Sequence, residues 1–297
     1  MNLMSNAVLP KKNFSLKNNS QSLSNSTYEI FRKLIYENCG IYFQDNKKYL
    51  LESRLLKRLN FLGLNSFENY FDYLKYNINK EQEKKYLYEV ITINETFFFR
   101  NQPQLNALVS KIIPDIIASK KNFGNPKLKI WSAASSSGEE AYSVAMTIKD
   151  LVKPKYPNLL VEIIGTDISQ AVIDTAKSGI YREYSIRNTP TYYLKKFFTV
   201  NNNNFEIKQD IKDMVSFKIL NLFDDKSMRA MTNFDIVFCA NVLIYFDSNS
   251  KIKVISNIYN SLNKGGCLFI GYAETLHAVS KAFSIVSFPK TIGYKKE

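Results

Sequence analysis

A chain of 297 residues is long enough for about two domains at roughly 150 residues each, and 45% hydrophobic with 23% charged residues excludes wholesale disorder and fibrous repeats. Lysine and arginine exceed aspartate and glutamate by 40 − 27 = 13, a surplus that favours an acidic partner such as nucleic acid, anionic lipid or an acidic protein face. Three widely spaced cysteines, Cys39, Cys239 and Cys267, form no CxxC pair, and the lone histidine, His277, removes multi-histidine metal sites and leaves little room for a Ser-His-Asp or Cys-His engine.

Met1 to Asn25 is rich in Asn, Ser and Lys, reads as a mobile tail, and has no apolar leader segment. Ser26-Thr27-Tyr28-Glu29 has the pattern of a capping box opening a helix that carries Ile30, Phe31, Leu34 and Ile35 and ends at Cys39-Gly40. A second helix, from about Asn46, sets Leu51, Leu55, Leu59 and Leu62 on one stripe and stops at Gly63. Ser66 opens a third and Lys80 to Ile91 is a fourth, so residues 26–92 are expected to form a small all-α domain. Residues 93–125 are expected to be a linker, helical over Asn101 to Phe123 with a bend at Pro114.

From Lys127 the texture changes. Short β-rich runs at Leu128 to Trp131, Leu159 to Ile164, Phe234 to Cys239 and Cys267 to Gly271 alternate with helical stretches near 139–151, 169–177 and 248–262. That alternation predicts a mostly parallel, Rossmann-like sheet covered on both faces over residues 126–297. The run Asn201 to Asn204 is expected at a turn between short antiparallel strands, in a β-subdomain near 195–218, and Ser284 to Tyr294 as a final strand pair. The most apolar stretch, Phe234 to Phe246, is broken by Asp235 and Asn241 and falls far short of the ~18 residues of a membrane span, so a cytoplasmic protein without direct membrane insertion is expected.

Four segments carry candidate chemistry. Trp131 to Glu140 follows a strand, uses small residues and opens a helix. It is not GxGxxG, and its acidic helix start disfavours a pyrophosphate and suits a cationic or amine-bearing ligand; equally, Glu139 and Glu140 could serve only the helix dipole. Asp167, ending the second strand, stands where such sheets hydrogen-bond a ribose diol, or it caps the following helix. Asn94 to Arg100 places an arginine beside three consecutive aromatics, where it needs an anionic partner unless it merely lies over a hydrophobic hinge. Asn241 and Tyr245 follow the carboxyl end of a buried strand, the side where open α/β sheets bind ligands.

Taken together, NETFFFR (94–100), WSAASSSGEEAY (131–142), GTDIS with AKSGIYR (165–182), FDIVFCANVLIYF (234–246) and GGCLFIGYAE (265–274) resemble, in order and spacing, the chemotaxis receptor glutamate methyltransferases of the CheR type. The resemblance implies a methyltransferase domain that uses S-adenosylmethionine and releases S-adenosylhomocysteine while esterifying glutamates on the cytoplasmic methylation helices of chemoreceptors, in chemotactic adaptation. By matching position it implies a cofactor site of Asn94, Thr96, Arg100, Glu140, Asp167, Asn221, Leu222, Asn241 and Val242, with Arg100 and Tyr245 nearest the transferred methyl group. No metal is implied. Lys47, Arg54, Lys57 and Arg58 share an arc of about 100° beside the leucine stripe and resemble the family's basic receptor-recognition face; a solvated basic face is the alternative.

Two departures stand out. Ala240 replaces an arginine common before the NV(L/M)IYF asparagine, and Thr199 to Asn204 replaces the glycine-rich loop of relatives that bind a receptor's tethering pentapeptide, so no such tether is expected. The other classes weighed are a nucleic-acid methyltransferase, suggested by the charge of +13 but lacking an NPPY-like motif or catalytic cysteine pair, and a non-catalytic cofactor-binding signalling protein. Nucleic acid is not the expected partner.

Overall fold

The computed structural model describes residues 22–92, 94–120 and 126–297. Most of the expected N-terminal tail, residues 1–21, lies outside the described residues, but its end does not behave as a tail: Leu23 is buried among the first helices and its amide donates to Glu52. The first helix, α1 (Asn25–Cys39), is capped by the Ser24 hydroxyl, which accepts from the Thr27 amide at 3.0 Å. The N-cap therefore lies two residues before the expected Ser26, and the expected capping box does not form: Glu29 pairs with Arg32 instead.

Helices α2 (Lys48–Leu62), α3 (Phe67–Tyr76) and α4 (Lys80–Ile91) complete a helical unit, with a 3₁₀ turn at Asp45–Lys47 preceding α2. Leu51, Leu55 and Leu59 are buried against Phe31, Ile35, Tyr70 and Leu87, which is the stripe that a 3.6-residue period places on one face. Gly63 ends α2 in the left-handed region, and Ser66 caps α3.

Next come α5 (Gln102–Ala107) and α6 (Ile113–Ser119), joined by a π-type turn over Leu108–Ile112. Pro114, lacking an amide, sits in the first turn of α6, where its missing donor is not needed. The segment is more than a connector: Leu105, Leu108, Ile113 and Ile117 are buried in the core of the sheet domain.

That domain runs β1 (Lys127–Ala133), α7 (Glu139–Thr147), β2 (Leu160–Asp167), α8 (Gln170–Ser178), β3 (Ile180–Tyr181), α9 (Glu183–Ile186), α10 (Thr191–Phe197), β4 (Phe198–Asn201), β5 (Asn204–Ile207), α11 (Gln209–Lys212), β6 (Val215–Ile219), α12 (Asp225–Met228), β7 (Phe234–Cys239), α13 (Ser248–Ser261), β8 (Leu262–Ile270), β9 (Phe283–Phe288) and β10 (Thr291–Lys296). The large sheet has the order β6-β2-β1-β7-β8-β10-β9, parallel except for β10, which is antiparallel to both its neighbours. Side chains alternate across it as a period of two requires. Ile130, Ile163, Ile236 and Phe238 face one core, whereas Trp131, Ile164, Val237 and Cys239 face the other against α13.

A second sheet, β3-β5-β4, is antiparallel. It draws on residues 180–207, while Val215–Ile219 belongs to the large sheet, so the small sheet begins and ends earlier than the span 195–218 expected from the sequence. Asn202 and Asn203, both at positive φ, make the two-residue turn of its hairpin.

The helical unit is bolted to the sheet domain at several points. Ile41 bridges to Phe246, the Tyr42 amide donates to the Tyr245 carbonyl at 2.9 Å, and Tyr36 donates to Asp247, the cap of α13. Gly40 (φ +72°) lies against Phe223 so closely that a Cβ there would meet the ring at 2.5 Å.

Candidate functional site

The chain leaves β1 toward β2 on one side, while β7 pairs with β1 on the other; at this reversal the carboxyl ends of the strands open a crevice. The loop after β1 lines it with little side chain. Ala134 and Ser136 have positive φ (56° and 50°) and Gly138 has φ 93°, and the Ser135 amide donates to Thr166 at 2.8 Å. Gly165, in β2 below, leaves room for the Phe217 ring, which a Cβ would approach to 2.4 Å.

Asp167 ends β2 with both carboxylate oxygens engaged, accepting from the Ser136 and Ser169 amides at 3.0 Å each. Burial raises its pKa against those hydrogen bonds. The neighbouring Ser135 and Ser136 hydroxyls are buried without a partner. Glu140, in the first turn of α7, accepts from Ser132 at 2.7 Å, and burial pushes its carboxyl up to about 7; Ser132 and Arg100 oppose the rise and Glu274 adds to it.

The 94–100 segment is pinned where it enters the sheet domain. The Phe98 amide donates to the Ser185 carbonyl and the Phe99 amide to the Ser143 hydroxyl, each at 2.9 Å, with both rings buried. This leaves Arg100 exposed at the cavity, donating to the Glu95 carbonyl at 2.7 Å with its guanidinium 5.4 Å from the Phe97 ring centre. Across the crevice, Asn241 takes φ 63° two residues past the end of β7. Glu274 holds that loop, accepting from the amides of Asn241 at 2.9 Å, Gly271 at 2.7 Å and Ile244 at 3.2 Å. Tyr245 follows in a 3₁₀ turn; burial raises its phenol pKa, opposed by the charges of Arg54 and Arg100.

One cavity, with an empty volume of about 1190 Å³ including its open mouth, brings these parts together. Asn94, Thr96, Arg100, Glu140 and Asp167 all line it, and so do Asn221, Leu222, Asn241, Val242 and Tyr245. Cys39, Ile41, Ile91 and Thr92 wall it from the helical unit. Asn221 also clamps the two units, donating to the Asn38 carbonyl at 2.7 Å while accepting from Phe223 at 3.0 Å. Gln104, which lines the cavity, and Glu274, which holds its rim, carry no local sequence signal: their hydrogen-bond partners Ile270 and Asn241 stand 166 and 33 residues away in the chain.

The four basic residues of the second helix do not form one face. Lys47 and Lys57 are exposed, and Arg54 is partly buried, donating to the Ile91 carbonyl. Arg58 is withdrawn into the helical core, paired with both oxygens of Glu83 at 2.8 and 2.7 Å, while Tyr70 donates to the same carboxylate. Its expected place on a docking surface is corrected accordingly: a buried guanidinium already matched to a buried carboxylate has little left to offer a partner.

A doubly wound sheet with an acidic residue ending its second strand, a small-residue loop after its first and orphaned hydroxyls between them fits a nucleoside cofactor; the class is that of the Rossmann-like, S-adenosylmethionine-dependent methyltransferases. The family description "CheR methyltransferase, SAM binding domain" matches residues 94–292 and "CheR methyltransferase, all-alpha domain" matches residues 26–92. The chain belongs to the CheR family of chemotaxis protein methyltransferases. It is 34% identical over 267 residues to Chemotaxis protein methyltransferase 2 of Vibrio cholerae, covering 90% of this chain and 91% of that one. It is 37% identical over 245 residues to the chemotaxis protein methyltransferase of Borreliella burgdorferi, covering 82% and 86%. Among the described residues no helix is long and apolar enough to cross a membrane.

Proposed function

We propose that this protein methylates glutamate side-chain carboxylates on the cytoplasmic methylation helices of chemoreceptors, as a cytoplasmic enzyme without a pentapeptide tether. The observation that carries the reading is the convergence of Arg100 and Tyr245 with Glu140 and Asp167 on one cavity whose lining includes no histidine. A glutamate with an ordinary pKa of about 4.3 arrives already ionised, so its oxygen needs orientation and not a general base. S-adenosylmethionine, when bound, supplies an electrophilic methyl group.

Asp167 and the Ser135 and Ser136 hydroxyls are suited to ribose hydroxyls, and Glu140 to the methionyl ammonium. Asn94, Thr96, Asn221, Leu222, Asn241 and Val242 complete the cofactor walls. Arg100 and Tyr245 orient the incoming carboxylate, and the helical unit over the cavity keeps water from it. Lys47 and Lys57, with the exposed part of Arg54, supply positive charge for an acidic receptor helix. The two-residue Asn202-Asn203 turn of the small sheet supports the untethered mode.

The test is incubation of the purified protein with methyl-labelled S-adenosylmethionine and receptor-bearing membranes. Base-labile label on receptors is the expected result. Unlabelled receptors in the presence of cofactor binding overturn the substrate assignment, and saturable binding of a receptor-tail pentapeptide overturns the untethered mode.

A further inference from the structure

The cavity wall contributed by α5 holds a polar group that no contact within the protein explains. Gln104 is 5% exposed and lines the cavity. Its Nε2 donates to the Ile270 carbonyl at 2.7 Å at the end of β8, whereas its Oε1 is buried without a partner. The amide cannot be reversed, because that would set two carbonyl oxygens against each other at the same distance. The orphan is therefore an acceptor by construction. Ser135 and Ser136, the other unpartnered groups of this cavity, have hydroxyls that donate or accept and so do not select a ligand's charge. Ser143 beside them is already spent, accepting from Phe99 and donating to the Glu139 carbonyl. Gln104 and the Glu140 carboxylate thus present two acceptors to one cavity, an arrangement that calls for a ligand group rich in donors.

We propose that the Gln104 carbonyl oxygen binds the α-ammonium of the methionyl part of the cofactor, sharing that cation with Glu140. The assignment rests on the reading of the cavity as the S-adenosylmethionine site. Gln104 acts on affinity and on placement of the methionyl end, with the Ile270 contact supplying the rigidity.

The experiment is calorimetric titration of the full chain at pH 8 with S-adenosylhomocysteine and with its analogue lacking the amino group. Wild type is expected to prefer the amine-bearing ligand. Gln104→Met, similar in length but without an acceptor, should bind S-adenosylhomocysteine roughly 10- to 100-fold more weakly and the desamino analogue almost as wild type does, which is the scale of a charge-assisted hydrogen bond. Gln104→His, with one donor and one acceptor nitrogen when neutral, should restore part of the preference. Gln104→Leu repeats the test should methionine fail to pack. Equal weakening of both ligands, or of neither, in a folded variant overturns the assignment of Gln104 and leaves the cofactor site standing; a wild type that binds neither ligand overturns both.

Discussion

Glu140 is held ionisable at a price in folding free energy. Its folded-state pKa of about 7 lies above the ordinary 4.5, with burial as the main cause and Glu274 adding to it, so ionisation penalises the folded state. The penalty is absent below pH 4.5 and complete above 7. Glu140→Gln keeps the Ser132 hydrogen bond and removes the charge, and should stabilise the ligand-free chain by about 3 kcal/mol at pH 8 and hardly at all at pH 4.5. Urea unfolding at the two pH values measures the difference, and equal gains at both would sink the argument. The same substitution should weaken cofactor binding, as expected where a site group is kept against its folding preference. For Arg100 and Tyr245, Arg100→Ala and Tyr245→Phe should each lower the methyl-transfer rate roughly 10²-fold, the scale of losing one oriented polar group at a reacting centre. Single-turnover kinetics at saturating cofactor separates this from lost cofactor binding; unchanged rates in both variants would remove these residues from the chemistry.

Within α2 the arginines and lysines divide by the element they face. Arg58 is turned to α4 and meets Glu83, which is 2% exposed. Arg58→Ala leaves that carboxylate buried and short of its cation, and should destabilise the chain by about 3–5 kcal/mol. Lys57→Ala, on an exposed position of the same helix, should fall within about 0.5 kcal/mol of wild type. Denaturant midpoints of the two variants test the division, and a mild effect at Arg58 would return it to the surface. Strand β2 has a steric counterpart: Gly165 leaves the space that the Phe217 ring fills, so Gly165→Ala should destabilise by roughly 1–3 kcal/mol through overpacking.

For the whole molecule the excess of 13 positive charges bears on association. Receptor docking guided by exposed charge should weaken with salt, because the screening length shortens from about 10 Å at 0.1 M to about 3 Å at 1 M. The apparent KM for receptor should therefore rise steeply with sodium chloride, while affinity for S-adenosylhomocysteine, which carries no net charge at neutral pH, changes little. A receptor KM indifferent to salt would argue against charge-guided docking. Closure of the cavity is also a property of the whole: Cys39, Ile41 and Ile91 reach it only because the helical unit is bolted on through Asn221, Tyr42 and Gly40.

The sequence by itself determined the two textures of the chain, the leucine stripe of α2, the alternating strands and helices, the asparagine turn and the blocks that mark the family. These depend on periods of 3.6 and 2 and on residue types that act locally, and such signals survive without knowledge of the fold. Eight of the ten lining residues singled out for the site lie in those blocks, while Asn221 and Leu222 fall outside them and were marked only by position in the family the blocks resemble. Tertiary structure alone decided that Arg58 points inward, that Leu23 belongs to a core and that Val215–Ile219 joins the large sheet. An arc on a helix does not say which part of it another helix will cover, and a short strand does not name its partner. Glu274 and Gln104 became visible only in three dimensions for the same reason: each is tied to the backbone far along the chain, Glu274 across 33 residues and Gln104 across 166, and a backbone partner leaves no mark in the identity of the residue that supplies it.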